Sequence, residues 1–339
     1  MATSASGATP SPDKILATLT AYQQTAALQA AIELNIFTAI GGEKLTAAEL
    51  AKRCATDERG MRILCDYLTV FGFLTKSENR YGLTGDSAIF LDRNSPACLA
   101  SAVGFLGLPE MRGAFKDLAA AVKKGGVIEG QGAVEDHNPM WVAFARSMAG
   151  MQTLQAEMLA GMLNASADEK WKVLDIAAGH GMYGITLAKH NPNAEIYALD
   201  WPSVLEVASE NAKAAGISTR HHLIPGSAFE VPFGLGYDII LLTNFLHHFG
   251  KAQNEEFLHK VHAALAPNGR TVTVEFVPNE DRVTPPAAAT FSLTMLAATP
   301  SGDAYTFSDL DGMFRAAGFS SSEQIRFPAG PESVVISKK

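Results

Sequence analysis

The chain is poor in cysteine, has no long apolar run and carries no excess of basic charge. Its three cysteines among 339 residues, Cys54, Cys65 and Cys98, are an odd number with no C-x-x-C pair. That excludes a disulfide scaffold and fits a reducing cytoplasm. No apolar stretch reaches the ~20 residues that span a bilayer, so no membrane partner is expected. Residues 1–12 are rich in Ala, Ser and Thr and lack a basic stretch followed by an apolar one, so a short disordered tail is expected rather than a signal peptide. A formal net charge of −8 gives no global attraction to nucleic acid or anionic membrane. Internal repeats and sustained low-complexity segments are also missing. What the chain does have is 47% hydrophobic residues over a length that favours two domains.

The densest information lies in Val173-Leu-Asp-Ile-Ala-Ala-Gly-His-Gly-Met-Tyr-Gly184 and Ala194-Glu-Ile-Tyr-Ala-Leu-Asp200. These read as a buried strand, a glycine-rich turn opening a helix, and a second strand ending in an acid. Small residues let the backbone approach a ligand closely, and a strand-terminal carboxylate accepts hydrogen bonds from a diol. A nucleoside-type cofactor with its ribose on Asp200 fits; a tight turn that binds nothing is the plainer alternative. Gly179-His-Gly181-Met-Tyr-Gly184 also matches the dinucleotide pattern G-x-G-x-x-G. Asp175 separates the two cofactor classes, because a carboxylate there is unfavourable beside a pyrophosphate and favourable beside an ammonium or a sulfonium. The string Asp175-x-Ala177-x-Gly179-x-Gly181 resembles the first motif of class I methyltransferases, with Ala177 in place of the usual first glycine. That resemblance implies S-adenosylmethionine rather than NAD.

Upstream, Ile15, Leu16, Leu19, Ala26, Ala27, Ala30, Ala31 and Leu34 form a small-residue apolar stripe at helical spacing, predicting a helix over 14–37. Thr46 with Glu49 forms a capping box, and Asp57 opens a further helix through Phe71. Phe73–Lys76 and Arg80–Thr84 then read as two extended pieces around the turn former Ser77-Glu-Asn79. This is a winged-helix order, which raises a DNA-binding regulator as a rival class. Between Ser11 and Ser95, however, nine Lys/Arg face ten Asp/Glu, which leaves no footprint for phosphates. The helix that would read bases is dominated by Met61, Ile63, Leu64, Leu68, Val70 and Phe71. Homodimerisation suits this region better than nucleic acid.

Leu99 to Leu163 reads as helices interrupted at Lys123–Gly126 and Glu135–Pro139. Trp141, Phe144, Met148 and Met151 recur there at helical spacing, either as core or as the adaptable wall of a substrate pocket. From Lys170 strands and helices alternate, with strands predicted at 173–176, 195–199, 221–224, 238–243 and 271–276. Such βα alternation demands a parallel sheet with right-handed crossovers. After a helix near Phe307 to Ala317, strands at 324–327 and 333–337 flank the turn Pro328-Ala-Gly-Pro331 and predict one antiparallel insertion.

With these pieces placed, the whole chain is similar in plan to the family-2 O-methyltransferases, the caffeate-type enzymes and their bacterial members. Ala30-Ala-Ile-Glu-Leu-Asn-Ile-Phe37 resembles that family's dimerisation helix, and Leu242-Thr-Asn-Phe-Leu-His-His-Phe249 its catalytic stretch. The resemblance implies an α/β fold: a Rossmann-like seven-stranded sheet, mostly parallel with one antiparallel strand, preceded by a mainly α winged-helix dimerisation domain. It divides the chain into a dimerisation domain over 13–98, a helical connector contributing to the substrate pocket over 99–165, and a catalytic domain over 166–339.

The resemblance also assigns residues. Asp175, Ala177, Gly179 and Gly181 would face the methionine part of the cofactor and Asp200 its ribose. Trp201 would cover one adenine face, and Thr243 would complete the cofactor contacts. Gly226-Ser-Ala-Phe229 stands where the family has Gly-Asp-Met-Phe, so Ser227, Ala228 and Phe229 would form the adenine pocket, without a charged partner for the amine. His247 is the implied general base and Glu275, ending Thr271-Val-Thr-Val-Glu, its orienting acid. A second acid belongs in Ser301-Gly-Asp-Ala-Tyr-Thr306, where alignment puts Ala304; either Asp303 substitutes or the acid is missing. Trp141, Phe144, Met148, Asn244, His248, Phe291, Met295 and Asp303 are the candidate substrate contacts. A metal is not expected, since adjacent residues such as His247 and His248 diverge by about 100° on a helix, although a loop relaxes that. His221 and His222 should face opposite sides of a strand. The expected protein is a cytoplasmic homodimeric enzyme that methylates a small-molecule hydroxyl. Thiol or carbon nucleophiles, hydride transfer with NAD, non-catalytic cofactor binding and DNA-binding regulation are the rival classes.

Overall fold

The computed structural model describes residues 10–107, 109–165, 169–328 and 330–339. Most of the expected tail, the expected start of the catalytic domain at 166 and part of the 328–331 turn lie outside these residues. The chain forms two compact units, Met1–Val103 and Gly104–Lys339.

In the first unit Thr46 caps the helix Ala47–Arg53 in a full capping box with Glu49, and Asp57 caps Glu58–Val70 through the Gly60 N–H. Strands β1 (Leu45–Thr46), β2 (Leu74–Ser77) and β3 (Arg80–Leu83) pair antiparallel in the order β1-β3-β2. The helix expected over 14–37 is broken: Asp13–Glu33 is one helix and Ile36–Ile40 another. Asn35 between them takes a left-handed φ of 59°, which Asn tolerates better than most residues. The break turns Ile36, Phe37 and Ile40 into the core with Leu50, Met61, Leu68 and Tyr81. The start of the expected stripe stays open, with Ile15, Leu16 and Leu19 at 65%, 56% and 69% exposure.

In the second unit seven strands form one sheet, ordered β6-β5-β4-β7-β8-β10-β9. They are β4 (Lys172–Ile176), β5 (Glu195–Asp200), β6 (His221–Pro225), β7 (Tyr237–Thr243), β8 (Leu265–Glu275), β9 (Ser321–Arg326) and β10 (Ser333–Lys338). All neighbours are parallel except β10, which runs antiparallel to both β8 and β9, as the closing hairpin predicts. Alternation along the central strands feeds two cores. Leu174, Ile176, Ile240 and Leu242 enter one, while Val173, Ile239 and Leu241 enter the other.

Register decides where the site can form. Ile176 pairs with Leu242, and Thr243 with Val274, so β4, β7 and β8 end level with one another. The chain runs outward through β5 and β6 on one side of β4 and then crosses to β7 on the other, which makes this edge a topological switch point where open α/β sheets bind ligands. The helix Met140–Met162 packs on the helices Met182–His190 and Pro202–Ala214 beside it. The 126–132 loop is docked on the chain at 298–300. A Cβ on Gly126 would lie 2.3 Å from the Pro300 oxygen, one on Gly132 would lie 2.2 Å from the Ala298 oxygen, and the Val127 N–H donates to the Thr299 oxygen at 2.9 Å.

Candidate active site

Because Glu275 follows Val274, and Val274 is level with Thr243, its carboxylate arrives beneath the turn that follows β7. Glu275 Oε1 accepts the backbone N–H groups of Phe245, Leu246 and His247 at 3.0, 2.8 and 3.3 Å. Its Oε2 lies 2.5 Å from His247 Nδ1. Both side chains are buried, so the carboxylate is compensated by four donors rather than by water. Asn254, with no exposed surface, donates through Nδ2 to the carbonyls of Leu246 and Phe249 and locks the turn from the other side. With Nδ1–H committed to Glu275, the His247 imidazole keeps its acceptor lone pair on Nε2.

Adjacent histidines were expected to diverge. Instead Leu246–His248 is a single 3-10 turn, and the two Nε2 atoms converge to 3.2 Å. Among the described residues no group of three or more His, Cys, Asp or Glu is arranged to hold a metal ion. His221 and His222 do part as a strand requires: His221 is buried, while His222 reaches Glu195 at 2.7 Å.

Rings form a continuous chain from this turn to the glycine turn. Phe291 meets His247 edge-on at 4.9 Å and stacks on Phe276 at 3.9 Å. Trp141 meets His248 at 5.2 Å and Phe144 at 5.7 Å, and Phe144 stacks over His180 at 6.2 Å. Met148 and Met295 are buried, and Asn244, at φ 54°, has a buried Oδ1 with no partner.

The glycine turn needs left-handed backbone at Ala177, Gly179 and Gly181, with φ of 52°, 58° and 74°. Alanine is strained there; the two glycines are not. Gly184 serves packing, since a Cβ would lie 2.7 Å from Ile196 Cγ2 and 2.9 Å from Asp175 Oδ2. Asp200 reaches across the turn, accepting the Gly179 N–H through Oδ2 and the Trp201 N–H through Oδ1, at 2.8 and 2.7 Å. Burial outweighs these two bonds and pushes its carboxyl up to about 6. Asp175 lies under the turn, 1% exposed. Its Oδ2 accepts the Gly184 N–H at 3.2 Å, and its Oδ1 has no partner. Burial, with a smaller push from Asp200, raises it to about 7.

At the far end Gly226 donates to the Asp200 oxygen at 2.9 Å, and Ser227 Oγ accepts the Phe229 N–H at 3.3 Å. Ala228 is buried, and Phe229 lies among Phe245, Phe249 and Phe257. Trp201 lies 4.3 Å from His137 and packs against the cluster of Ala145, Val204 and Val207. Thr243, 8% exposed, closes β7.

A family model described as the O-methyltransferase domain matches residues 115–320, and one described as the O-methyltransferase dimerisation domain matches 16–93. The chain belongs to the O-methyltransferase family. It is 27% identical to the 3-hydroxy-5-methyl-1-naphthoate 3-O-methyltransferase of Streptomyces sahachiroi, over 94% of this chain and 93% of that one. It is also 27% identical to the L-tyrosine C(3)-methyltransferase of Streptomyces lavendulae, over 92% and 88%. A crystal structure of a candidate O-methyltransferase from Nostoc punctiforme is 50% identical over 98% of this chain and all of that one, with a TM-score of 0.95. The chain is therefore an S-adenosylmethionine-dependent methyltransferase, and hydride transfer with NAD is set aside.

The residues of the glycine turn fit such a cofactor. Asp175 Oδ1 is an orphaned buried acceptor, and a Cβ built on Gly179 would meet nothing closer than 3.9 Å, so the turn offers both an unpaired carboxyl oxygen and room. A carboxyl whose folded value is raised above its ordinary 3.8 holds a proton that the unfolded chain has lost, so its contribution to stability declines as pH rises from about 4 to about 7. Asp175→Asn is therefore expected to raise the melting temperature of the ligand-free O-methyltransferase at pH 8 by on the order of 5 °C, a gain that vanishes at pH 4, while weakening the cofactor. Thermal melts across pH with and without S-adenosylmethionine check this; an unchanged pH 8 melt refutes it.

Of the two alternatives for the second acid, the geometry shows this much: the Asp303 carboxylate turns to Arg282 at 3.1 Å, and Ala304 is fully buried. The Asp303 backbone N–H instead bonds the His247 oxygen at 3.0 Å. Gly302 makes that approach possible, since a Cβ there would lie 2.2 Å from the His247 oxygen and 2.9 Å from the His248 carbonyl carbon. Gly302→Val is expected to displace the Leu246–His248 turn and lower turnover about 100-fold with cofactor affinity retained; wild-type kinetics would refute it.

Sequence reasoning missed a buried network. Tyr183 donates to Gln152 at 2.6 Å, and Gln155 donates to Glu332 at 2.6 Å. Burial pushes the Glu332 carboxyl up. Gln152 and Gln155 share the helix Met140–Met162, but Tyr183 stands on Met182–His190 and Glu332 just before β10, so spacing carried no signal for their meeting. Phe276 was recognisable only as the residue after Glu275.

Proposed function

We propose that this O-methyltransferase moves the sulfonium methyl of S-adenosylmethionine to a hydroxyl of a small aromatic molecule, with His247 as general base. The observation that carries this reading is the buried Glu275–His247 pair, which leaves Nε2 as the one acceptor of the base at the ligand-binding edge of the sheet. S-adenosylmethionine supplies an electrophilic methyl whose departure leaves a neutral thioether. The chain therefore has to hold the reactants in line and receive one proton.

Gly179 and Gly181 let the backbone close on the methionine part, with Ala177 shaping the same turn. Asp200 keeps a second lone pair on each oxygen for the two ribose hydroxyls. The unpaired Oδ1 of Asp175 suits the cationic end of the cofactor. Ser227, Ala228 and Phe229 with Thr243 would frame the adenine, and Trp201 would cover one face. Trp141, Phe144, Met148, Phe291 and Met295 would wall the acceptor, and the buried Oδ1 of Asn244 would accept a hydrogen bond from it. The aromatic lining favours a planar acceptor.

Incubating the protein with labelled S-adenosylmethionine and small-molecule extracts, then identifying the labelled product, tests this directly. An O-methylated arene is the expected product, and no labelled product at all would overturn the assignment. A ring-methylated phenol is the second reading, supported by the L-tyrosine C(3)-methyltransferase relative. Removing a phenolic proton also activates the carbon beside it.

We infer that the first unit is a winged-helix dimerisation domain, joined through a connector over 99–165 to a catalytic region beginning near 166. The dimerisation match and the open Ile15, Leu16, Leu19 and Tyr22 stripe support a second copy as partner. Leu16→Asp with Leu19→Asp is expected to shift the protein from dimer to monomer in light scattering. An unchanged mass refutes it. No described helix is long and apolar enough to cross a membrane. Three free cysteines suit the cytoplasm.

A further inference from the structure

Once its Nδ1–H is given to Glu275, His247 has one acceptor lone pair, and that lone pair does not face open space. His248 Nε2 stands 3.2 Å from it, while His248 Nδ1 is buried with no hydrogen-bond partner. Two imidazole nitrogens at this distance can hold a single proton between them. The convergence is built in. Three backbone N–H bonds to Glu275 Oε1 and two from Asn254 fix the 3-10 turn, and Asp303 and Gly302 press on it from outside. The second carboxylate that the sequence led one to expect beside the base is missing, with Asp303 bound to Arg282 and a methyl at Ala304.

We propose that His248 is a positioning residue that replaces the missing acid, an uncharged hydrogen-bond partner on His247 Nε2 that favours the protonated base. The proposal rests on His247 being the base. When the acceptor's O–H bond breaks, its proton goes to His247 Nε2 as the new C–O bond forms and the methyl–sulfur bond breaks. The resulting imidazolium stays paired with the Glu275 carboxylate and donates its Nε2–H to His248 Nε2, with the His248 ring proton on Nδ1. His248 carries that Nδ1 proton before transfer as well, so the two Nε2 lone pairs face each other at 3.2 Å until the acceptor's proton arrives between them. The charge-assisted bond then formed has no counterpart in the neutral pair, so His248 favours the protonated base.

The surroundings keep His248 uncharged. Trp141 and Phe249 present ring edges to it, and Phe291 covers His247. The charged groups facing the pair are Glu275 from β8 and Glu332 from the segment before β10, whose carboxylate interacts with both Glu275 and His247. Burial, and secondarily the neighbouring His247, hold His248 well below the ordinary histidine range.

Titration of the 15N-histidine-labelled full-length protein, saturated with S-adenosylhomocysteine, tests the proposal without an acceptor substrate. The His247 midpoint is expected to fall by about one pH unit in His248→Phe, to stay near wild type in His248→Gln and to rise by about one unit in His248→Asp. A packing role alone would change the melting temperature and leave this order absent. A folded His248→Phe with an unmoved or raised midpoint overturns the proposal. Should that variant not fold, equal midpoints in the Gln and Asp variants overturn it. Turnover by His247→Ala equal to wild type would overturn the base assignment and with it this role for His248. A missing titration order alongside an inactive His247→Ala overturns the role of His248 alone.

Discussion

His247→Ala is expected to lower turnover of a hydroxyl acceptor by about 10²- to 10⁴-fold while S-adenosylmethionine affinity stays within about twofold. The size follows from what is removed. An alcohol or phenol is a poor nucleophile until its proton leaves, and in the proposed reaction His247 Nε2, at the end of β7, is the acceptor for that proton. The small effect on the cofactor follows from geometry, because the glycine turn and Asp200 are organised by β4, β5 and their own backbone bonds, and none of those contacts passes through His247. Calorimetric titration with S-adenosylmethionine and single-turnover transfer of labelled methyl measure the two quantities separately. Retained turnover with a hydroxyl product removes the base assignment. A loss of less than about tenfold points to a thiol nucleophile, which is already partly ionised at neutral pH.

Glu275→Gln is expected to be nearly as damaging, on the order of 10³- to 10⁴-fold, although it removes only a charge. The amide oxygen can still accept the N–H groups of Phe245, Leu246 and His247, so the turn remains. Its nitrogen, however, presents N–H to His247 Nδ1. The imidazole must then carry its proton on Nε2, and the lone pair that faced the acceptor is gone. An orienting carboxylate changed to its amide has this tautomer penalty in serine proteases, where the loss is about 10⁴-fold. Glu275→Ala should add a folding defect, because three buried N–H groups lose their acceptor. Circular dichroism melts with single-turnover kinetics separate the two variants. Equal activity in Glu275→Gln and wild type would show that the carboxylate only supports the turn.

The sequence carried a great deal of this protein. Seven strand positions and the antiparallel insertion of β10 were legible, because alternating burial, glycine turns and capping residues are local properties of the chain. The left-handed turn at Gly179 and Gly181, Asp200 against it and His247 beside Glu275 also lie at the strand ends where the local pattern put them. Boundaries slipped where local pattern was silent. The helix predicted over 14–37 breaks at Asn35 because burying Ile36, Phe37 and Ile40 outweighs helix continuity.

Side-chain direction was the property that only tertiary structure decided. Asp303 stands one residue from the position of the expected acid, yet a favourable ion pair with Arg282, across the chain from residue 282 to 303, turns its carboxylate away. His247 and His248 diverge on an ideal helix, yet a 3-10 turn pinned by one carboxylate and one asparagine makes them converge. Tyr183, Gln152, Gln155 and Glu332 meet only because the helices Met140–Met162 and Met182–His190 and the segment before β10 pack together. Periodicity fixes which face of an element a residue lies on; where its polar end points depends on partners distant in sequence, whose arrival is set by the packing of the whole unit.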